Sequence, residues 1–202
     1  MSDHIRLSLW FASQTAAQVL PRLAQAVEVL PREARERGVL QLSVTAVDWS
    51  EPAVLEERFD AGIALEAAWA PMREFVQEDC ACEVELAWLL WRYGQHGWEQ
   101  TPQPVTFTSF GPEFGANEGD NDGHVMVDFG LDEAFLAEAA PWGAETRAHL
   151  QANILQLLAF SLKAQTQLQP QRRRLWSEAE EDWTQKLAAR LQSAGVGVDL
   201  VQ

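Results

Sequence analysis

Short stretches of strict alternation set the frame of this chain. In HIRLSLWFA, residues 4–12, Ile5, Leu7, Leu9 and Phe11 share one side and Arg6, Ser8 and Trp10 the other. A period of two with one apolar face predicts a half-buried strand. VLQLSVTAVDW, residues 39–49, repeats the pattern: Leu40, Leu42, Val44 and Ala46 point inward, while Gln41, Ser43 and Thr45 point outward. CEVELAWLLWRY, residues 82–93, alternates and then turns apolar on both sides, which predicts a central strand. The turn GQHG, 94–97, leads to PVTFTSF, 104–110, as a hairpin, and HVMVDFG, 124–130, supplies a fifth strand.

Between the strands the period changes. Residues 14–37 predict helix, with Pro21 near a first turn, a break at Pro31 and Gly38 closing the run. Residues 52–76 read mostly as helix, broken near Asp60–Gly62. A long helix is expected over about 144–167, where Leu150, Ile154, Leu157, Leu158 and Phe160 form a broad apolar face and Pro170 stops the run. A last helix follows in LWSEAEEDWTQKLAARLQ. Ser177 and Glu180 fit a capping box, and Trp183, Leu187 and Leu191 stripe one side. The order predicts a single α+β domain over 1–202, with a roughly five-stranded mixed or antiparallel sheet. Helices pack on one face, and two helices lie in a helical C-terminal part, 143–194. The other face would carry Arg6, Ser8, Trp10, Gln41, Ser43, Thr45, Glu83, Glu85, Thr106 and Thr108. A solvated surface is the default for such a face; a binding platform or dimer surface is the alternative.

Charge changes the picture more than composition does. The chain has 202 residues, 47% hydrophobic, enough for a real core, and a net charge of −15. Residues 51–150 hold 4 Lys and Arg against 20 Asp and Glu; the remainder holds 11 against 10. Such a middle repels nucleic acid and anionic lipid and attracts basic partners. Solubility alone is the plainer reading of the same charge. Against this background QRRRLW, with Arg172, Arg173 and Arg174, stands out. It reads as a solvated link between two helices, its arginines paired within the chain or with the acidic middle of a twin subunit in a homodimer.

No run approaches the roughly 18 apolar residues of a membrane span. The N-terminal segment is explained by alternation better than by a secretory signal, so a cytoplasmic location is expected. Cys80 and Cys82 make no disulfide framework. On a strand their Cα atoms would lie about 7 Å apart on one face, and they read as structural thiols.

Candidate chemistry is sparse. GANEGDNDGH, residues 115–124, aligns Glu118, Asp120 and Asp122 with the first oxygen ligands of a calcium loop and Gly123 with its sharp turn. Position 12 falls on Phe129 and a strand follows, so this is no EF-hand; a looser calcium loop stands against a plain Gly-rich turn. His124 and Asp128 share a strand face about 13 Å apart, too far to act as a direct pair. The four histidines show no metal-ligand spacing, and no nucleophile elbow or phosphate loop is present. Catalytic residues are therefore assigned to none.

Nine tryptophans are many for this length. Most should be core, and Trp98, beside Glu99 after a turn, is the best candidate for an exposed anchor. The leading reading is an acidic protein-interaction module for a basic partner, with Trp98, Glu83, Glu85 and Trp10 as binding residues. By charge and size alone it has the look of bacterial immunity or inhibitor proteins for basic toxins, an analogy and not a family match. A homo-oligomeric accessory protein without a catalytic site ranks second. A metal-dependent or small-molecule enzyme using the 115–128 loop and strand ranks third.

Overall fold

A computed structural model describes residues 3–116, 122–137, 140–178 and 183–193. The order is β1 (His4–Trp10), α1 (Ala16–Glu28), α2 (Arg32–Glu36), β2 (Val39–Ala46), β3 (Leu55–Ile63), α3 (Leu65–Met72), β4 (Cys80–Gly94) and β5 (Gly97–Phe110). After a 3-10 turn at Phe114–Ala116 come β6 (Val125–Leu131), α4 (Glu133–Leu136), α5 (Ala144–Leu168), β7 (Arg172–Trp176) and α6 (Trp183–Ser193). The fold is α+β. The sheet has seven strands rather than five, in the order β3-β2-β4-β5-β6-β1-β7, and every neighbouring pair is antiparallel.

Three expectations need correction. Residues 52–76 are not mostly helix, because Leu55–Ile63 is the edge strand β3 and only Leu65–Met72 is helical. Arg172–Arg174 do not form a link between two helices. They open the opposite edge strand, β7, which also interrupts the predicted helical part 143–194. Pro21 sits in the second turn of α1 instead of its first.

The apolar side of the alternation builds the core. Leu7, Leu42, Val84, Leu86, Phe107 and Val127 are fully buried, in one cluster with Leu23 and Val27 of α1, Ile154, Leu157 and Phe160 of α5, and Trp183, Leu187 and Leu191 of α6. Every described helix turns buried apolar residues into this cluster. Burying a side chain such as Leu or Phe contributes roughly 1.5–3 kcal/mol, so this layer dominates the fold's stability. The other face of the sheet is mostly polar over its middle, with Trp10 and Trp176 toward one edge and a small apolar cluster of Ala81, Phe110 and Phe114 at one end.

Hairpins join β2 to β3, β4 to β5 and β5 to β6, and the β4–β5 turn spans only Gln95 and His96. The pairings β2–β4, β6–β1 and β1–β7 connect distant stretches. At the β2–β3 corner the register slips. Val39 pairs with Ile63 but Gln41 pairs with Arg58, so two steps along β2 match five along β3. Gly62 sits in this bulge at φ 71°, where a Cβ would fall 2.2 Å from the Arg37 carbonyl oxygen. No helix among the described residues is long and apolar enough to cross a membrane.

Candidate polar-face site

The registers align the outward side chains in rows across the sheet. One row runs Glu56, Ser43, Glu83, Thr108, Met126, Ser8, Arg174. The next runs Arg58, Gln41, Glu85, Thr106, Asp128, Arg6, Trp176. A third contains Thr45, Ala81 and Phe110. The outward set read from alternation thus meets on one surface, and Asp128 joins it. Around Gln41, Ser43, Glu83, Glu85 and Thr106 lies a depression of ≈ 250 Å³.

Its centre is a half-buried carboxyl. Glu83 accepts hydrogen bonds from the Thr108 hydroxyl (2.9 Å) and the Ser43 hydroxyl (3.3 Å). Burial raises its pKa above the ordinary carboxylate range; the two hydroxyls oppose the rise, and the negative charge of Asp128 adds to it. The ionised form is therefore disfavoured in the folded state. A group with a raised acid pKa binds more protons folded than unfolded, so its contribution to stability falls as pH climbs through and above its unfolded value near 4.3. Glu83→Gln is expected to raise the urea midpoint at pH 8 and to leave it nearly unchanged at pH 4. A lower midpoint at pH 8 would show that the ionised carboxylate stabilises the fold.

Asp128 is held differently. Its oxygens lie 3.0 Å from His4 Nδ1 and 3.3 Å from Arg6 Nε, and it accepts the Gly130 amide at 2.7 Å. Toward β7 the surface becomes cationic and aromatic. Arg172 stacks over Trp10 at 4.4 Å; Arg174 and Arg6 lie over Trp176 at 5.1 and 5.5 Å. The Trp176 indole N–H donates to the buried Ser8 hydroxyl at 2.9 Å. Arg173, of opposite parity, donates to the Ser161 carbonyl of α5. The face is thus bipolar: apart from Arg58 at the β3 edge, which pairs with Glu56, carboxylates lie over β3–β6 and guanidinium groups over β1 and β7.

The four predicted binding residues do not all meet. Glu83, Glu85 and Trp10 belong to this face, but Trp10 is buried beneath Arg172. Trp98 lies at the hairpin tip, opposite Tyr93, with its ring 5.0 Å from His149 of α5. Tyr93 is eight residues along β4 from Glu85, about 26 Å at strand spacing. Of the calcium-loop residues, Glu118 and Asp120 lie outside the described residues, whereas Asp122 is described and partly buried. Among the described residues no group of three or more His, Cys, Asp and Glu could hold a metal ion. Gly123 ends that loop against β1, where a Cβ would fall 2.8 Å from the Leu9 nitrogen. His124 accepts the Phe11 amide at 2.9 Å and Asp128 turns to His4, so the two serve separate contacts.

Cys80 and Cys82 are free, buried on the core face, with sulfurs 4.0 Å apart. The hydrogen bond from Cys82, helped by the Gln77 amide, lowers the Cys80 thiol to about 7, and the same bond pushes Cys82 up.

One surface residue escaped the sequence reading. Trp49 is 44% exposed, with its ring edge-on to Phe110 and Phe114 at the end of the polar face. Its flanks, Asp48 and Glu51, carry the same aromatic-beside-acid signal that singled out Trp98.

No protein-family model, curated protein or solved structure matches this chain.

Proposed function

We propose that this chain is an acidic interaction module that receives a basic protein partner on its polar sheet face. The observation that carries the reading is the carboxylate half of that face. Glu56, Glu83, Glu85 and Asp128 stand in two adjacent rows with Ser, Thr and Gln side chains and Met126, and the one cation of that half, Arg58, is paired with Glu56 at the edge. Carboxylates accept hydrogen bonds from guanidinium and ammonium groups, and the hydroxyls and amide adapt to their geometry. The excess of acids in residues 51–150 supplies a long-range field that draws such a partner in.

The bipolar charge supports a second reading, a homodimer. Under a two-fold axis, the carboxylate half of one copy would face the Arg6, Arg172 and Arg174 half of the other.

One experiment separates the two. The tagged chain is isolated at low salt from the cells that make it and weighed by native mass spectrometry. The proposal expects a complex with a second chain of high isoelectric point, released by 0.5 M salt as charge screening requires. It also expects much less of that chain on the Glu83→Gln/Glu85→Gln variant. A homodimer free of any other chain supports the second reading, and a bare monomer defeats both.

A further inference from the structure

Among the described residues, Val47, next to the polar face, is the one β-branched residue with a positive φ. Val47 has φ 72°, in the left-handed region, which a β-branched residue enters only at a cost. Two neighbouring segments hold it there. Its amide donates to the Asp79 carbonyl at 2.7 Å, and its carbonyl accepts the Gly115 amide at 2.8 Å. Yet the side chain contributes little to the core, being 52% exposed. Trp49 at 44% and Val54 at 49% belong to the same loop. A strained residue that displays an apolar side chain to solvent, beside a half-exposed tryptophan, is poorly explained by folding stability.

The three segments that meet here are acidic. Residues 47–54, 77–79 and 111–116 contain Asp48, Glu51, Glu78, Asp79 and Glu113 and no Lys or Arg. Backbone hydrogen bonds bring these segments together: besides the two at Val47, the Glu113 amide donates to the Glu78 carbonyl at 2.8 Å. The Ser50 hydroxyl and amide bond Asp48 and lower its pKa, so it stays ionised. Trp49 packs on Phe110, which lies in the third row of the polar face, so the patch is continuous with that face.

We infer that Val47, Trp49 and Val54 form the apolar anchor of the interface, gripping a basic protein segment that carries an apolar side chain between its cationic groups. The indole and the valines supply the desolvated centre, and the ring of carboxylates supplies the charged rim. The inference rests on the proposed basic partner and adds to it the place where binding is strongest.

The test pans a phage-displayed library of random 12-residue peptides against the immobilised full chain. Selected peptides are then synthesised and titrated against variants. The expected peptides combine Lys or Arg with an aromatic or aliphatic residue. They should bind Trp49→Ala and Val54→Ser about tenfold more weakly or worse, a typical hot-spot loss. Val47→Asn keeps the assay independent of folding, because asparagine tolerates the left-handed region. It should raise the melting temperature by about 2–4 °C while weakening the same peptides. That pair of opposite signs is what a structural role for Val47 cannot produce. Basic peptides that bind all three variants as well as the parent would overturn the anchor but leave the basic partner standing. Neutral or acidic peptides that need Trp49 would overturn the partner class itself. A dimer that Trp49→Ala converts to monomer would assign the patch to a second copy and overturn the inference.

Discussion

Replacing Asn153 by alanine is expected to remove about 3 kcal/mol of folding stability, lowering the melting temperature by roughly 9 °C for a chain of this size. Asn153 lies fully buried in α5. Its Oδ1 accepts the Trp91 amide at 3.0 Å, and its Nδ2 donates to the Trp91 carbonyl at 2.8 Å and the Ala134 carbonyl at 2.7 Å. The reason for this arrangement is the length of β4. That strand runs to Gly94, but β2 pairs with it only as far as Leu86. Beyond that point the side of β4 away from β5 needs other partners, and one amide side chain takes the place of a strand at Trp91. Alanine leaves the Trp91 amide and two carbonyls without it, and a buried group stripped of its partner costs about 1–3 kcal/mol. The check is a urea melt combined with amide exchange. The Trp91 amide should exchange much faster in the variant, even under strongly native conditions. A variant of unchanged stability would mean that water substitutes fully and that α5 is not pinned there.

Gly62→Ala is expected to be comparably damaging, at roughly 3 kcal/mol, from the cost of a left-handed φ and a backbone clash. The methyl group would fall 2.2 Å from the Arg37 carbonyl oxygen, and that atom belongs to backbone rather than to a flexible side chain. Gly38 stands opposite under the same constraint, its missing Cβ 2.4 Å from the Ile63 carbonyl oxygen. The corner therefore cannot open on one side alone. The variant should lose the Val39–Ile63 pairing first, seen as fast exchange at those amides, and should show a reduced urea midpoint. Retention of both amide protections would show that the bulge accommodates a side chain.

The side chains of β3 explain why it was hidden in the sequence. Leu55, Phe59 and Ile63 are spaced four apart, a helical interval, and all three pack against the core. Four is also a multiple of the strand period, but the positions of the same parity in between, Glu57 and Ala61, carry no large apolar side chain, so alternation does not show. β7 was hidden for a different reason. Three successive arginines carry no period, and the strand exists because Arg172 and Arg174 stack on tryptophans of one face while Arg173 reaches α5 on the other. That strand depends on distant partners, to which a local pattern is blind.

The outward-facing residues of the strands were legible, because parity along a strand is a local property. Their arrangement into rows was not. Ser43, Glu83, Thr108 and Ser8 come from four strands whose order is set by long-range pairing. The bipolar charge of the face emerges only from that order. Trp98 stands between a turn and an acid, yet that turn closes a long hairpin whose tip is far from Glu83. Trp49 has equivalent neighbours in sequence. Only the contacts with Phe110 and Phe114, and the unusual backbone at Val47, distinguish it.

The most direct test of the central claim is the association rate of the partner retained at low salt, measured by stopped flow from 50 to 500 mM NaCl. An acidic face that steers a basic partner predicts a fall of about tenfold or more over that range. Glu83→Gln/Glu85→Gln should slow association at low salt and flatten the dependence. A rate that stays constant across the range, or a partner that binds the double variant equally fast, would contradict the account.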